Sequence, residues 1–298
     1  MALNLHLLRL FVAVAEHGGV VTAARALGVS QPAVSRGVRD LEHQVGIPLL
    51  ERTPKGVRLT TAGSAVYEHA RGVFAAERAV EETMAALRGV ERGHLHIGAS
   101  TTIATYALPE VIAEFTKRHP GVEIRLSAIH TRMIVELLRR YELDVAIAEA
   151  PVSDRRIQLH RWRMDEMVVI AAPAHPLAVA SAEGSLVPPS ALAAERILLR
   201  EPESGTRTIV LQALSAVGIE PVHTMVVDGT EMIKQLVAGG VGIAIVSRCA
   251  VTDALASGRL ATIRVDGLSI TRPFNRLLLR DRRPSSAARA FLEILDHW

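Results

Sequence analysis

Between Thr61 and Arg88 the chain runs without a proline, and Gly63 and Gly72 are the glycines it contains. Within that run Val66, Ala70, Val73, Glu77, Val80, Met84 and Leu87 recur at alternating spacings of four and three, a heptad seam with Glu77 as its one misfit. A helix of about 28 residues is about 42 Å long and is too thinly apolar to stand alone. It packs either on its own domain or on a partner helix, most simply its own copy. Its position between two unlike segments favours dimerisation.

The segment before it reads as short helices and a hairpin. Leu3, Leu7, Leu10/Phe11 and Val14 recur at helical spacing, so residues 3–16 form a first helix ended by Gly18-Gly19. The same stretch could pass for a short signal peptide, but its one early cation, Arg9, lies inside the apolar run. Residues 22–27 form a short helix with Thr22 as its N-cap. Gly28 supplies a turn, Ser30 caps a third helix with Pro32 in its first turn, and Gly46 and Pro48 end it. Two extended runs in 49–60 flank Thr53-Pro54-Lys55-Gly56. Helix, short helix, glycine turn, capped helix and wing is the layout of a winged helix-turn-helix.

Charge supports that reading. Residues 1–60 carry seven of the 34 cations and four of the 31 acids, so the whole net charge of +3 sits in the first fifth and residues 61–298 are neutral. A basic head on a neutral body faces a polyanion. Aromatics make up only 3%, too few for a single-strand stacking platform. One cysteine, Cys249, excludes an internal disulfide or thiolate metal cage and fits a reducing cytoplasm. No run of 18 apolar residues is present.

The third helix opens with Ser30-Gln31-Pro32-Ala33-Val34-Ser35-Arg36. A recognition helix needs short polar side chains with Gln and Arg near its N-terminus, where base edges and phosphates lie. Ser30, Gln31, Pro32, Ala33, Ser35, Arg36 and Arg39, with Arg52 and Lys55 of the wing, are the candidate contacts to double-stranded DNA. Arg58 lies in the same wing. A plain capped surface helix would not explain the basic wing that follows.

These residues resemble the LysR-type transcriptional regulators, and the resemblance covers essentially the whole chain. It is most specific from Leu7 to Ala15, from Ala23 to Arg36, at Leu41-Glu42, at Leu49–Arg52 and at Leu59–Gly63. Two departures stand out. Val20-Val21-Thr22 replaces the usual Ser-Phe-Thr, and Gly37 replaces a usual polar residue, which removes a possible phosphate contact and costs up to ~1 kcal/mol of helix stability. The resemblance implies an α/β fold in three parts. Residues 1–60 are an α-rich winged helix-turn-helix, 61–90 a linker and dimerisation helix, and 91–298 a periplasmic-binding-protein-like effector domain. The last part has subdomain I at about 91–162 plus 268–298 and subdomain II at about 163–267, joined by two crossover strands. Members are usually tetramers that bend DNA at interrupted palindromes and regulate neighbouring operons, with RNA polymerase as a possible partner.

After Gly93 the pattern alternates strands with helices. Strands are expected at 94–99, 122–129, 144–148, 166–172, 196–200, 222–227, 241–246, 259–265 and 274–280, and helices at 103–118, 131–141, 204–217, 229–238 and 285–297. That is a largely parallel α/β pattern, in one large sheet or two small ones. Pro173–Pro176 and Pro188-Pro189 read as surface loops.

Two motifs in this part place hydroxyls at a helix start: Gly98-Ala99-Ser100-Thr101-Thr102 and Glu203-Ser204-Gly205-Thr206-Arg207. Either alone is only an N-cap. Together, at strand ends, they make a ready site for an anion or carboxylate, and in the resembled family the two loops face one cleft. Ser100, Thr102 and Thr206 lead the candidate effector contacts, followed by Thr101, Ser204 and Thr131. Glu149 and Glu203 read either as cleft flanks that favour a cationic part of the ligand or as solvated rim charges. The Ser-Thr-Thr loop is similar to that of regulators of carbon fixation and sulfur assimilation, which hints at a small anion.

No pattern calls for catalysis, a cofactor or a metal. His94 and His96 share a strand face without a third ligand, and Cys249 reads as a small buried residue. Two other readings stay open: a solute-binding protein or enzyme whose N-terminal segment binds protein, and a regulator that works by oligomerisation alone.

Overall fold

In a computed structural model, residues 3–54, 56–87, 93–149 and 151–298 are described, with the backbone alone at 82, 83 and 85–87. They form two compact units divided between Glu81 and Glu82.

The first unit contains helices α1 (Leu5–His17), α2 (Val20–Leu27) and α3 (Gln31–Val45), strands β1 (Leu50–Thr53) and β2 (Gly56–Leu59), and most of helix α4 (Thr61–Leu87). The Asn4 side chain caps α1 by accepting from the N–H groups of His6 and Leu7. α2 starts two residues earlier than the sequence suggests, with Gly19 at its N-cap. Thr22 is inside it and donates to the His17 and Gly19 carbonyls instead of capping. Gly28 then takes φ +66°, a left-handed conformation that glycine adopts without a steric cost, and the chain turns into α3. Phe11, Val14, Ala23, Val34, Val38, Leu41 and Leu49 form the core, and α4 adds Ala70 and Phe74 to it. The wing is the antiparallel β1–β2 pair, with Leu50 opposite Leu59 and Thr53 opposite Gly56.

The second unit is built on one mixed, nine-stranded sheet. Its strands are β3 (Gly93–Ala99), β4 (Val122–Ala128), β5 (Val145–Ala148), β6 (Ile157–Ala171), β7 (Ile197–Arg200), β8 (Thr224–Val227), β9 (Ile243–Ser247), β10 (Ala261–Ile263) and β11 (Ile270–Leu279). The order is β4-β3-β5-β11-β6-β9-β7-β8, with β10 paired to β6. Parallel pairs make up the two outer parts, and β6 and β11 run antiparallel through the middle. Each of these two long strands serves both halves: β11 pairs β5 through Asn275–Leu277, and β6 pairs β9 through Met167–Ile170. Their register shifts at Phe274/Asn275, where Trp162 is the extra residue.

The sheet is therefore less parallel than its sequence pattern suggested, and β6 begins at Ile157, well before 166. Leu159, Arg161, Arg163 and Asp165 give that part of the strand no apolar face to read. The expected 103–118 helix is broken into a π-helical turn (Ile103–Ala107) and α5 (Pro109–Arg118), with the proline opening the second piece. Helices α6 (Thr131–Arg139), α9 (Gly205–Ala216), α10 (Thr230–Ala238) and α12 (Ser286–Leu295) fall where the pattern placed them. Three short helices are additional: α7 (Pro176–Ala182), α8 (Pro189–Ala193) and α11 (Thr252–Ala256). Two of these open on the prolines that had marked loops, each proline at a first helical position. α5 and α12 cover one face of the first half around Phe115 and Phe291, and α6 covers the other around Ile134 and Leu277. The second half has two cores of its own, around Leu199 and Ile245 and around Leu198 and Val246.

Candidate functional site

In the first unit, α3 divides cleanly. Val34, Gly37, Val38 and Leu41 are buried; Ser30, Gln31, Pro32, Ala33, Arg36 and Arg39 are exposed; Ser35 is half-buried. The Arg39 guanidinium donates back to the Ser35 carbonyl at 3.2 Å. Gly37 faces α1, and a Cβ there would sit 2.3 Å from Leu10 Cδ1. A side chain at 37 would enter the helix packing, so the glycine takes no phosphate contact away from this surface. Arg52 and Arg58 are exposed on the wing, with Glu51 opposite Arg58, while Lys55 lies outside the described residues. The wing is tied to the helices. Glu42 Oε1 accepts from the Leu49 and Leu50 N–H groups at 2.8 and 3.0 Å, and the Val57 N–H donates to the Gly18 carbonyl.

In the second unit, the strand ends of the two halves meet. A cleft of about 590 Å³ opens between the N-terminus of α6 with residues 151–154 on one side and the N-terminus of α9 on the other. Thr131, Arg132, Arg139, Glu203, Ser204 and Gly205 line it. Thr131 and Ser204 are thus on its wall. The other candidate contacts are buried where the halves meet. The Thr101 hydroxyl accepts from Arg200 Nη2 at 3.2 Å, and Thr102 is buried beside the π-helical turn. Ser100, its N–H on the Ile147 carbonyl, keeps a buried hydroxyl without a partner.

Glu149 is not a solvated rim charge: it is buried, with Oε1 3.6 Å from Arg272 Nη1. The Thr206 hydroxyl accepts from Arg272 Nη1 at 2.8 Å and donates to Glu149 Oε1 at 3.4 Å, joining the halves. Arg272 Nε donates to Asp165 Oδ2 at 2.8 Å, and Asp165 Oδ1 accepts from the Ser247 hydroxyl at 2.6 Å. Arg272 and Asp165 are cross-strand neighbours on β11 and β6.

A second polar bridge runs beside the first. Arg200 Nε and Nη2 grip both oxygens of Glu201, at 2.7 and 2.5 Å, and Nη1 donates to Thr230. Glu201 also accepts from the Gly229 N–H, with His130 Nδ1 of the other half 3.8 Å away. Burial pushes the Glu201 carboxyl up, but the hydrogen bonds and charge of Arg200, with the backbone N–H groups, hold it at about 2. Farther along, the Tyr106 hydroxyl donates to Glu231, which also takes Lys234. Burial, with Glu231 beside it, raises the tyrosine above its ordinary range. Burial likewise pushes the Cys249 thiol up, opposite to what a reactive thiolate needs.

Sequence reading missed Arg200, Glu201, Asp165 and Arg272. Among 31 arginines, nothing local marks the two that are buried here.

Two family models match and together span nearly the whole chain: a bacterial regulatory helix-turn-helix protein of the lysR family over residues 5–64, and a LysR substrate binding domain over residues 88–298. The chain belongs to the LysR family of transcriptional regulators. Among its relatives, a RuBisCO operon transcriptional regulator of Allochromatium vinosum is 35% identical over 99% of this chain and 96% of that protein. The uncharacterized HTH-type regulator YeiE of Escherichia coli is 33% identical over 99% of this chain and 98% of that one. Among solved structures, the regulatory domain of CcmR from Synechocystis, in complex with 2-PG, is similar at a TM-score of 0.63 and 28% identity, covering 69% of this chain and 97% of that one. A full-length OxyR variant of Pseudomonas aeruginosa shares the fold over 100% of this chain and 94% of that one, at a TM-score of 0.77 and 23% identity. This LysR-family chain is thus a DNA-binding transcriptional regulator with an effector-binding domain, not an enzyme. Among the described residues, no single helix is long and apolar enough to cross a membrane, and no cluster of three or more His, Cys, Asp or Glu could hold a metal.

Proposed function

We propose that this regulator is switched by a small anion, a carboxylate or phosphate, bound between the two halves of its second unit. The observation that carries the reading is the cleft between two helix N-termini, with Thr131 at one and Ser204 and Gly205 at the other. Free N–H groups and the positive ends of both helix dipoles favour an anion there, and Arg132 adds a cation to the wall. Thr101, Thr206 and Glu149 act behind that wall through the contacts that join the halves, with Ser100 and Thr102 buried beside them. The 2-PG held by the related CcmR domain points to the same ligand class.

On the DNA side, Gln31, Ala33 and Arg36 read base edges in the major groove, while Ser30, Pro32, Ser35, Arg39, Arg52 and Lys55 sit against the backbone. α4 pairs with its copy, dimers assemble into a tetramer in the cytoplasm, and the ligand acts by favouring one arrangement of the halves. RNA polymerase is the further partner this reading allows.

The test separates the two sites. With a duplex selected by the wild-type protein from a random pool, Arg36→Ala weakens binding about tenfold or more in fluorescence anisotropy, the loss expected for one base or phosphate contact. Ser204→Ala keeps that affinity and loses the ligand response. Wild-type affinity in Arg36→Ala would remove α3 from the DNA contact, and a full ligand response in Ser204→Ala would remove the α9 N-terminus from the ligand site.

A further inference from the structure

Where the halves meet, three buried polar atoms have no hydrogen-bond partner: Ser100 Oγ, Glu149 Oε2 and Arg272 Nη2. Their residues are 5%, 6% and 2% exposed. They belong to one cluster. Arg272 Nη1 is 2.8 Å from Thr206 Oγ1 and 3.6 Å from Glu149 Oε1, and Ser100 and Glu149 follow the adjacent ends of β3 and β5. The cluster begins just inside the cleft, because Ser204 and Gly205 line the cleft and Thr206 is the next residue. The Thr206 to Glu149 link is long at 3.4 Å and easily parted.

Resting on the anion reading above, we infer that this cluster is the inner end of the ligand site and selects anions that carry a hydroxyl group. The guanidinium atom can only donate, the carboxylate oxygen can only accept, and the serine can do either. A ligand group that meets both demands must accept from Arg272 and donate to Glu149. A hydroxyl does this. A bare carboxylate or phosphate oxygen would satisfy Arg272 but oppose Glu149, and an ammonium would do the reverse. Charge does not override that pattern. Asp165 is already held by Arg272 and Ser247, and Arg163 stands with Arg272 at the same aromatic ring, each 5.6 Å from the Phe274 centroid. The charged head then lies outward at the α6 and α9 N-termini and the hydroxyl inward. Glu149 is the specificity residue.

Calorimetric titration of the full chain with matched probes tests this: glycerol 3-phosphate against propyl phosphate, and glycerate against propionate. The hydroxylated member of at least one pair binds about tenfold or more tightly, the size expected for hydrogen bonds to charged groups. Glu149→Gln narrows that ratio to about threefold or less. Should that variant fail to fold, Ser100→Ala, which removes a hydroxyl with no partner in the fold, narrows it as well. Equal or tighter binding of the hydroxyl-free members overturns the hydroxyl inference and leaves the anion site standing. Unchanged selectivity in the variants moves the hydroxyl away from this cluster and overturns the assignment. No binding by any of the four probes at millimolar concentration overturns the anion reading, and this inference with it.

Discussion

Gly63 lies in the first turn of α4 with Leu49 pressed against it: a Cβ would fall 1.9 Å from the Leu49 carbonyl oxygen, a contact that side-chain motion cannot relieve. Its N–H is held by the Thr60 hydroxyl at 2.9 Å, which in turn donates to the Pro48 carbonyl. Gly63→Ala would add up to ~1 kcal/mol of helix propensity, yet the backbone shift costs more. A net loss of about 2 kcal/mol, read by urea unfolding, is expected. Glu201 makes the other prediction at this scale. Its carboxyl is held at about 2 against an ordinary 4.5, so its contribution, on the order of 3 kcal/mol, is present above about pH 4.5 and is lost as the pH falls toward 2. Wild type therefore loses more stability between pH 5 and pH 3 than Glu201→Gln does. Equal losses in urea melts at the two pH values would show that the carboxylate is not held by Arg200. Neither role was legible in the sequence, because Gly63 owes its role to a carbonyl 14 positions away and Glu201 to a neighbour whose burial no local pattern reveals.

α4 shows what an element's pattern can and cannot tell. The seam predicted from spacing is split by the structure. Val66, Ala70 and Phe74 pack on the core of the first unit, whereas Val80 and Met84 are 59% and 48% exposed; the Leu87 side chain lies outside the described residues. Glu77, the misfit of the heptad, turns to α1 and takes Arg9 in a two-oxygen ion pair, with that guanidinium 4.7 Å from the Phe74 ring. Such an exposed pair contributes under about 1 kcal/mol, so it fits the residue to its place without driving the packing. The first alternative thus holds for the beginning of the helix, which packs on its own unit, while toward its end an exposed face carries Val80 and Met84. Met84→Glu places a charge on that face and is expected to shift the protein to smaller assemblies in sedimentation velocity while the melting temperature of the first unit holds. An unchanged sedimentation coefficient would place self-association elsewhere. The order of the helix-turn-helix was legible because turn glycines and amphipathic spacing are local signals, whereas the Thr22 cap and the role of Gly37 were not, since both depend on packing against α1. The first part of β6 was not, since a crossover strand owes its place to partners more than a hundred residues away.

For the whole molecule, the basic excess confined to residues 1–60 and the neutral remainder announced two tasks. What composition could not show is how the second unit works as a switch. A single sheet runs through both of its halves on β6 and β11, so the halves share a backbone hinge. The bridges of Thr206 to Glu149, Arg200 to Thr101 and Tyr106 to Glu231 hold them at the cleft. A ligand that separates or tightens those bridges favours one arrangement of the halves, and its effect is limited to its differential affinity for the two. The hydroxyl-bearing loops were visible as motifs. Glu149 was visible too, but Arg200, Glu201, Asp165 and Arg272 were not, because a buried ion pair has no periodic signature. The most direct measurement of the central claim is energy transfer between dyes at the two ends of a duplex saturated with the protein, recorded as glycerol 3-phosphate is added. A saturable change in transfer is expected, and it is absent in Ser204→Ala. An unchanged efficiency, with calorimetry showing the ligand bound, would contradict it: the cleft would then hold a ligand without passing its binding on to the DNA.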